Sequence, residues 1–267
     1  MPKINIKKIF LILFVLLMIS ENLFLSYSEG ISNTETKINF NYEYDKTKEL
    51  TPREIYYNNG IFLTFDDGPS DNTNYVLEML DLCDIKATFF VTYQPRHIDE
   101  LKKIIEKGHT VGIHCASHNA GVLYSSFDNW LLDFKKIYNF IVDNTGYIPT
   151  LYRFPGGSNS MYINDEIREK IEEYLYSNGF EYFDWNLSVK DNTPNLTLDD
   201  LVSNVMNYVH LRRVPVVLIH DSGGKTNTIK ALPFLLVELV ERNYKFMVLS
   251  NVVPPIHQKT NFDYPIG

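Results

Sequence analysis

Short β-favouring runs alternate with amphipathic stretches from Ile61 onward, and this alternation constrains the fold more than any other feature. The β-favouring runs are IFLTF, ATFFVT, TVGIH, TLYRF, FEYFDW, PVVLIH and KFMVL. Helical patterns lie between them, over residues 74–82, 98–107, 128–143, 165–177, 198–212 and 229–243. Repeated strand–helix units favour parallel strands joined by right-handed crossovers. The sequence therefore predicts an α/β fold of about seven parallel strands, either an open doubly wound sheet or a (β/α) barrel.

The pattern over residues 128–143 shows helical periodicity clearly. Its apolar residues recur on one face of a helix and are Trp130, Phe134, Ile137, Tyr138 and Ile141. Gly146 follows this pattern and is a candidate C-terminal cap, because glycine adopts the left-handed conformation without a steric penalty. We expect this helix to pack its apolar face on the sheet.

The N-terminus has the pattern of an export signal. Lys3, Lys7 and Lys8 precede an apolar run over residues 9–19, and small residues follow at 26–28. If Ser20, Glu21 and Asn22 are included, the segment extends to Leu25 and reaches the lower limit of about 17 residues for a membrane-spanning helix, so a retained anchor is an alternative to cleavage. We expect an exported protein that is secreted or anchored to the outer face of the cytoplasmic membrane.

Composition changes along the chain suggest four segments. They are a signal peptide or anchor over 1–28, a polar linker over 29–57, one α/β domain over 58–253 and a C-terminal tail over 254–267. The net charge of −8 argues against nucleic-acid binding, which relies on clustered Lys and Arg. We expect a monomer.

The chain contains two cysteines, Cys83 and Cys115. An exported chain can join such a pair in one disulfide, whereas buried free thiols are the alternative. The sequence leaves this choice open.

Charged and imidazole side chains gather where predicted strands end. In parallel α/β folds these carboxyl ends lie at one edge of the sheet and form the site. Each residue alone has an ordinary explanation, as a cap, a surface charge or a buried hydrogen-bonding group. Their joint placement at five strand ends favours a functional site. The residues are Asp66, Asp67, His114, His118, Arg153, Asp184 and His220, with Trp185 directly after Asp184.

The spacing of His114 and His118 suits a metal site, because two imidazoles four residues apart can reach one ion if the chain turns after the strand. The helical metalloprotease pattern is excluded, since it needs Glu directly after the first His and Cys115 stands there. Asp66 or Asp67 would complete a set of two histidines and one carboxylate. Such a set leaves positions open for water and substrate, and it suits zinc.

The remaining residues at the strand ends can supply proton transfer. The aspartate that does not bind metal can take a proton from the attacking water, with Arg153 keeping it ionised and oriented. His220 can protonate a leaving amine, and Asp184 can orient His220. A backbone N–H near Gly156 can stabilise the oxyanion together with the metal. This chemistry is metal-assisted hydrolysis of an amide or ester.

These motifs resemble the polysaccharide deacetylase family, also called the NodB homology family or carbohydrate esterase family 4. TFDDGPS, HCASH, RFPGG, DW and LIH look like the five family motifs and occur in the family order, within residues 58–253. The resemblance implies a distorted, TIM-like (β/α)7 barrel. It also implies one divalent metal ion, zinc-like, with cobalt or another divalent ion as an alternative.

The resemblance assigns roles to individual residues. It implies that Asp66 is the general base, that Arg153 positions it, and that Asp184 tunes His220 as the general acid. The residues implied as metal ligands are Asp67, His114 and His118. Gly156 stays the expected oxyanion donor from the argument above. The resemblance implies that Trp185 and Leu218 wall the acetyl methyl pocket, whereas spacing alone would place both in the core. Cys115 departs from the small polar residue usual in the family, but its side chain is not a required ligand.

The resemblance is strongest to deacetylases of N-acetylglucosamine in peptidoglycan, so the expected partner is a cell-wall polysaccharide. Chitin oligomers, N-acetylmuramic acid and acetylated xylan are alternative substrates. Two alternatives fall outside polysaccharide hydrolysis. One is a glycan-binding module of the same fold without turnover, and the other is an amidohydrolase acting on a small soluble amide.

Overall fold

The computed structural model describes residues 40–259, in which helices surround a curled parallel sheet. The strands are β1 (Gly60–Asp66), β2 (Thr88–Thr92), β3 (Thr110–Cys115), β4 (Leu151–Tyr152), β5 (Glu181–Tyr182), β6 (Leu187–Ser188), β7 (Val216–His220) and β8 (Lys245–Met247). The helices are α1 (Pro52–Tyr57), α2 (Asp71–Leu82), α3 (Ile98–Glu106), α4 (Ala120–Leu123), α5 (Phe127–Thr145), α6 (Asp165–Ser177), α7 (Leu198–Met206) and α8 (Thr226–Glu241), with a 3₁₀ turn over Val209–Leu211. The predicted signal peptide or anchor over residues 1–28, residues 29–39 of the predicted linker and residues 260–267 of the predicted tail lie outside the described residues.

The strands follow the order β5-β4-β3-β2-β1-β7-β6, and every pair in this sheet is parallel. β8 is off this path and pairs with the first residues of β1. The sheet curls, and the edge strands β5 and β6 are joined by only a few residues of chain. The predicted distorted (β/α)7 barrel is confirmed, with seven strands in the curl and one accessory strand among residues 40–259.

Strand β1 lies at the centre of the sheet, and all seven of its residues are buried. Alternate residues of a strand point to opposite faces. Ile61, Leu63 and Phe65 accordingly pack in the layer between sheet and helices. Phe62 instead joins the cluster inside the curl, and Asp66 has the same parity. The end of β1 therefore delivers a carboxylate to the interior side of the curled sheet.

Helix α5 confirms the periodicity argument. Trp130, Phe134, Ile137 and Ile141 are buried on its inner face. Ser126 caps the N-terminus by accepting from the backbone N–H of Asn129, and Gly146 ends the helix at a φ of 68°. The helix therefore packs its apolar face on the core, as the sequence predicts.

The structure corrects the prediction of a polar linker over residues 29–57 for its described part, residues 40–57. Thr51 and Glu54 form a capping box that starts α1, and Ile55 is fully buried. Tyr42 donates its backbone N–H to Phe246 at 2.9 Å. Residues 40–57 therefore pack onto the domain.

The surface tail expected from residue 254 is also corrected. Ile256 and His257 are buried, and the His257 ring stacks on Tyr182 at 3.8 Å between ring centroids. The backbone N–H of Asp184 donates to the carbonyl of Ile256 at 2.8 Å. We call residues 253–259 the C-terminal strap. This strap lies against the chain that connects β5 to β6, where the curled sheet is open.

The described residues contain no helix with the length and apolar character needed to cross a membrane. The two cysteines are free thiols and both are buried. The disulfide that the sequence left open is therefore not formed in this structure.

Candidate metal and catalytic site

Two adjacent aspartates at the end of β1 adopt different backbone conformations. Asp66 continues the strand, whereas Asp67 has a φ of 72°, in the left-handed region. A non-glycine residue in this region costs on the order of 1–3 kcal/mol and persists only where its surroundings fix it. The change in backbone direction separates the two side chains, so Asp66 faces Arg153 and Asp67 faces the histidines.

Gly68 permits the turn that follows. A Cβ on this residue would lie 2.3 Å from the Asp221 carboxylate, so a larger residue does not fit without rearrangement. Asp221 is fully buried and accepts from the Thr73 hydroxyl at 2.6 Å, and burial raises the pKa of its carboxyl to about 7. The turn that carries Asp67 is therefore held close to the end of β7.

Asp67, His114 and His118 converge as a candidate metal site. The Oδ1 atom of Asp67 lies 3.4 Å from Nε2 of His114 and 3.3 Å from Nε2 of His118. Oδ1 is buried and has no hydrogen-bond partner among the described residues. Donor atoms bound tetrahedrally at about 2.0–2.1 Å from zinc lie about 3.3 Å apart. The spacing of these donors therefore fits one divalent ion. Three protein ligands would leave a coordination position open for water or substrate.

The two histidines are held differently. Nδ1 of His114 lies 2.8 Å from the carbonyl oxygen of Arg153, so Nδ1 carries the proton that it donates and Nε2 is left as the metal-facing lone pair. Burial lowers the pKa of His114, which favours the neutral imidazole that a metal needs. The side chain of His118 is 52% exposed and comes from the loop after β3.

Cys115 also lies near the two histidines, and the nitrogen and sulfur atoms of the three residues are within 4.8 Å of one another. Its side chain nevertheless belongs to the core between sheet and helices. Burial raises the pKa of the Cys115 thiol well above its usual value, so the thiolate required of a zinc ligand is disfavoured. We therefore favour Asp67 as the third ligand.

Arg153 anchors Asp66 within the curled sheet. Its Nη1 donates to Asp66 Oδ1 at 2.9 Å and to the Thr64 hydroxyl at 2.6 Å. Nε and Nη2 donate to the carbonyls of Phe183 and Asp184 at 2.8 and 3.0 Å. The guanidinium is fully buried, and burial lowers its pKa despite the opposing charge of Asp66. Its donors are thus paired, and Asp66 is held as an oriented carboxylate.

His220 ends β7 and pairs in register with Asp66 of β1. Its Nε2 lies 4.0 Å from Asp67 Oδ2, so it borders the metal site. Its Nδ1 lies 2.7 Å from Asp191 Oδ1, and its backbone N–H donates to Asp191 Oδ2 at 3.0 Å. Burial lowers the pKa of His220, but the hydrogen bond and charge of Asp191 outweigh it and leave the pKa raised. The Asp191 carboxylate thus favours the protonated imidazole.

The contact expected between Asp184 and His220 is not made. Asp184 Oδ1 accepts from the backbone N–H of Ser158 at 2.8 Å. Its Oδ2 accepts from the Ser158 hydroxyl at 2.5 Å and from the backbone N–H of Gln258 at 2.8 Å. Both oxygens are occupied by the loop after β4 and the C-terminal strap. The carboxylate that orients His220 is Asp191.

The three residues expected to contact substrate lie near this centre. Leu218 is on β7, two residues before His220, and is 5% exposed. Trp185 is half-buried, with its ring centroid 5.7 Å from the Arg153 guanidinium carbon. Gly156 lies in the exposed turn after β4 at a φ of 79°. Their roles as pocket walls and oxyanion donor stay predictions.

Sequence reasoning missed Asp191 and its neighbour Asn192, whose Nδ2 lies 3.4 Å from His220 Nε2. Both follow the short strand β6, which lay inside a stretch without a predicted strand. If Leu187–Ser188 had been recognised as a strand, the expectation that site residues follow strand ends would have indicated Asp191. A strand of two residues leaves no alternating pattern from which to make that prediction.

Comparisons with known proteins agree with this geometry. The family model described as polysaccharide deacetylase matches residues 57–178. A peptidoglycan N-acetylglucosamine deacetylase of Bacillus cereus is 31% identical over 222 residues, covering 77% of this chain and 96% of the relative.

Solved structures give the same result. The catalytic domain of a peptidoglycan N-acetylglucosamine deacetylase from Eubacterium rectale is 32% identical with a TM-score of 0.73, covering 79% of this chain and 96% of that one. A pseudoenzyme of carbohydrate esterase family 4 from Bacillus anthracis shares the fold at 22% identity and a TM-score of 0.61, covering 74% of this chain and 66% of that one. The resemblance seen in the motifs is confirmed: the chain belongs to the polysaccharide deacetylase family of hydrolases, carbohydrate esterase family 4.

Proposed function

We propose that this chain hydrolyses the N-acetyl group of N-acetylglucosamine residues in an extracellular polysaccharide, peptidoglycan, and releases acetate. The observation that carries the proposal is the placement of a base, Asp66, and an acid, His220, on register-paired strand ends beside a set of two histidines and one carboxylate. A glycan-binding module without turnover has no need of this pair.

The residues present fit one divalent cation, and we propose zinc. Asp67, His114 and His118 would hold it, and the cation would act as a Lewis acid on the acetyl carbonyl oxygen. The second oxygen of Asp67 and the exposed side of His118 leave the site open toward solvent.

Side chains of the protein carry out both proton transfers of the reaction. Asp66 removes a proton from water as the water oxygen attacks the carbonyl carbon, and Arg153 holds the carboxylate for this step. His220 donates a proton to the amide nitrogen as the carbon–nitrogen bond breaks, with Asp191 supporting the protonated imidazole. The products are acetate and the glucosamine amine.

Peptidoglycan is favoured over other acetylated glycans by the two relatives named for that substrate. The predicted export signal at the N-terminus supports action outside the cytoplasmic membrane, because peptidoglycan is found there. We accordingly propose a cell-wall location, secreted or tethered. Chitin oligomers, N-acetylmuramic acid and acetylated xylan are the competing substrates.

The test is mass spectrometry of muropeptides after incubation with the full chain, in the presence of zinc and in the presence of a chelator. We expect the mass of one acetyl group to be lost from glucosamine with zinc and retained with chelator. Acetyl loss from muramic acid would overturn the sugar assignment.

The control is an Asp66→Asn variant shown to bind zinc. Acetyl release that persists in this variant would overturn the role of Asp66. If the wild-type protein binds zinc and releases acetate from none of the acetylated glycans, the enzymatic proposal falls and the glycan-binding alternative is favoured.

A further inference from the structure

His118 has less direct support than His114, although both are candidate ligands. The ring of His114 is fixed by its hydrogen bond to the Arg153 carbonyl. Among the described residues, the ring of His118 contacts Asp67 and the ring of His114, and neither a backbone carbonyl nor a second carboxylate accepts from it. Metal-binding histidines are usually oriented by such an acceptor. The orientation of His118 therefore depends on the loop that carries it.

That loop is held by a carboxylate from α5. Asp133 Oδ1 accepts from the backbone N–H of Ala116 at 2.6 Å, and its Oδ2 accepts from the backbone N–H of Ser117 at 2.7 Å. Both oxygens face N–H donors, which suits an ionised carboxylate. These two donors immediately precede His118 in the chain.

Asp133 is itself fixed by the packing of α5. Its neighbours Trp130 and Phe134 are 1% and 4% exposed. Trp130 also donates its indole N–H to the Tyr152 hydroxyl at 2.8 Å. The carboxylate thus connects the loop after β3 to a rigid part of the core.

We propose that Asp133 is a positioning residue for the metal ligand His118, acting through the backbone N–H groups of Ala116 and Ser117. This inference rests on the proposed metal site. Asp133 supplies to His118, through the loop, the restraint that the Arg153 carbonyl supplies directly to His114.

The test is the zinc affinity of the full chain, measured by competition with a chromophoric chelator. We expect Asp133→Ala and Asp133→Asn to weaken zinc binding by about 10–100-fold, the range typical of residues that orient metal ligands. The matched control is Asp143→Asn, an exposed carboxylate on the same helix, which should bind zinc like the wild type.

Two further measurements separate positioning from folding. Melting temperatures in chelator report the stability of each metal-free variant, and Asp133→Asn keeps the size of the side chain if Asp133→Ala unfolds. In a His118→Ala background, Asp133→Ala should change zinc affinity by no more than about twofold, because the two residues act as one unit.

Unchanged zinc affinity in a folded Asp133 variant would overturn the proposal. Full additivity with His118→Ala would also overturn it. These outcomes are independent of acetate release, so a wild-type protein that binds zinc without turnover would remove the proposed function and leave the role of Asp133 intact.

Discussion

Asp66 and Asp67 are adjacent in the chain but occupy different electrostatic environments. The buried guanidinium of Arg153 contacts Asp66 at 2.9 Å, whereas Asp67 has a buried oxygen between two imidazoles. The left-handed backbone of Asp67 produces this divergence. Two carboxylates that would repel each other on one face are thereby turned toward separate partners, the Arg153 guanidinium for Asp66 and the two imidazoles for Asp67.

This arrangement predicts that one amide variant affects zinc binding and the other affects turnover. Asp67→Asn should weaken zinc binding by more than about 100-fold, beyond the range for residues that only orient a ligand. Asp66→Asn should keep zinc and lower turnover by about 10²–10⁴-fold, the usual contribution of an acid or base. Equilibrium dialysis and acetate release measure the two quantities. Equal loss of zinc in both variants would contradict the division of roles.

Asp191 gives a prediction about pH dependence. Burial alone would lower the pKa of His220, and the Asp191 carboxylate raises it. A general acid must be protonated, so activity falls as pH rises through its pKa. In Asp191→Asn the pKa of His220 should fall, and the alkaline limb of the kcat/KM profile should move to lower pH.

The control for Asp191 is Asp199→Asn, an exposed carboxylate in the first turn of α7. Profiles are compared at a fixed, saturating zinc concentration, because a bound cation also affects His220. An alkaline limb that stays in place in Asp191→Asn would show that another group sets it.

The C-terminal strap is an element of the domain, although its sequence has no helical or strand pattern. Asp184 joins the strap to the loop after β4 through Gln258 and Ser158. The side-chain amide of Gln258 donates to the Trp185 carbonyl at 3.0 Å. The strap thus supports the residue predicted to wall the acetyl pocket.

Asp184→Asn should disturb this support. Its hydrogen bonds involve a fully buried carboxylate, so we expect the free energy of unfolding to fall by about 1.5–3 kcal/mol. KM should rise more than kcat falls, because the variant leaves Asp66 and His220 in place. Gln258→Ala removes only the contact with Trp185 and should show the KM effect with a smaller loss of stability.

Urea unfolding and steady-state kinetics on the same preparations check both quantities. Wild-type stability in Asp184→Asn would contradict the structural role of the carboxylate. A selective loss of kcat with unchanged KM would instead return Asp184 to the proton-transfer chemistry.

At the scale of the whole molecule, the sequence predicts which distant residues meet at the site wherever those residues lie at the end of a regular strand. Asp66, His114 and His220 lie at the ends of β1, β3 and β7, and parallel strands bring those ends together whatever the details of packing. The apolar face of α5 was predictable for the same reason, since its period repeats over many residues.

The parts that were missed depend on how separate elements pack. Asp133 reaches the site from a helix, and Asp191 reaches it from a loop after a strand of two residues. Asp184 was placed at the correct edge, but its carboxylate meets Ser158 and Gln258 instead of His220. Neighbouring residues near a strand end face different directions, and sequence position alone does not choose between them.

A buried histidine outside the site links the whole fold to pH. His109 Nδ1 accepts from the backbone N–H of Ala87 at 3.1 Å, and its ring lies edge-on to Phe89. Burial lowers the pKa of His109 from 6.5 to about 4. Below pH 6.5 the unfolded chain therefore binds a proton that the folded protein excludes. The free energy of unfolding accordingly decreases as the pH is lowered from about 6.5, and this decrease levels off near pH 4.

The His109→Gln variant removes this titration, because an amide can still accept from Ala87 and stays neutral. Between pH 7 and pH 4 the wild type should lose about 3 kcal/mol of unfolding free energy relative to the variant. Asp221, whose carboxyl pKa is raised to about 7 by burial, acts in the opposite sense but is present in both proteins and cancels. Urea unfolding at each pH measures the difference, with the exposed His210→Gln as the control. Parallel curves for the wild type and His109→Gln would show that His109 does not govern the acid sensitivity of the fold.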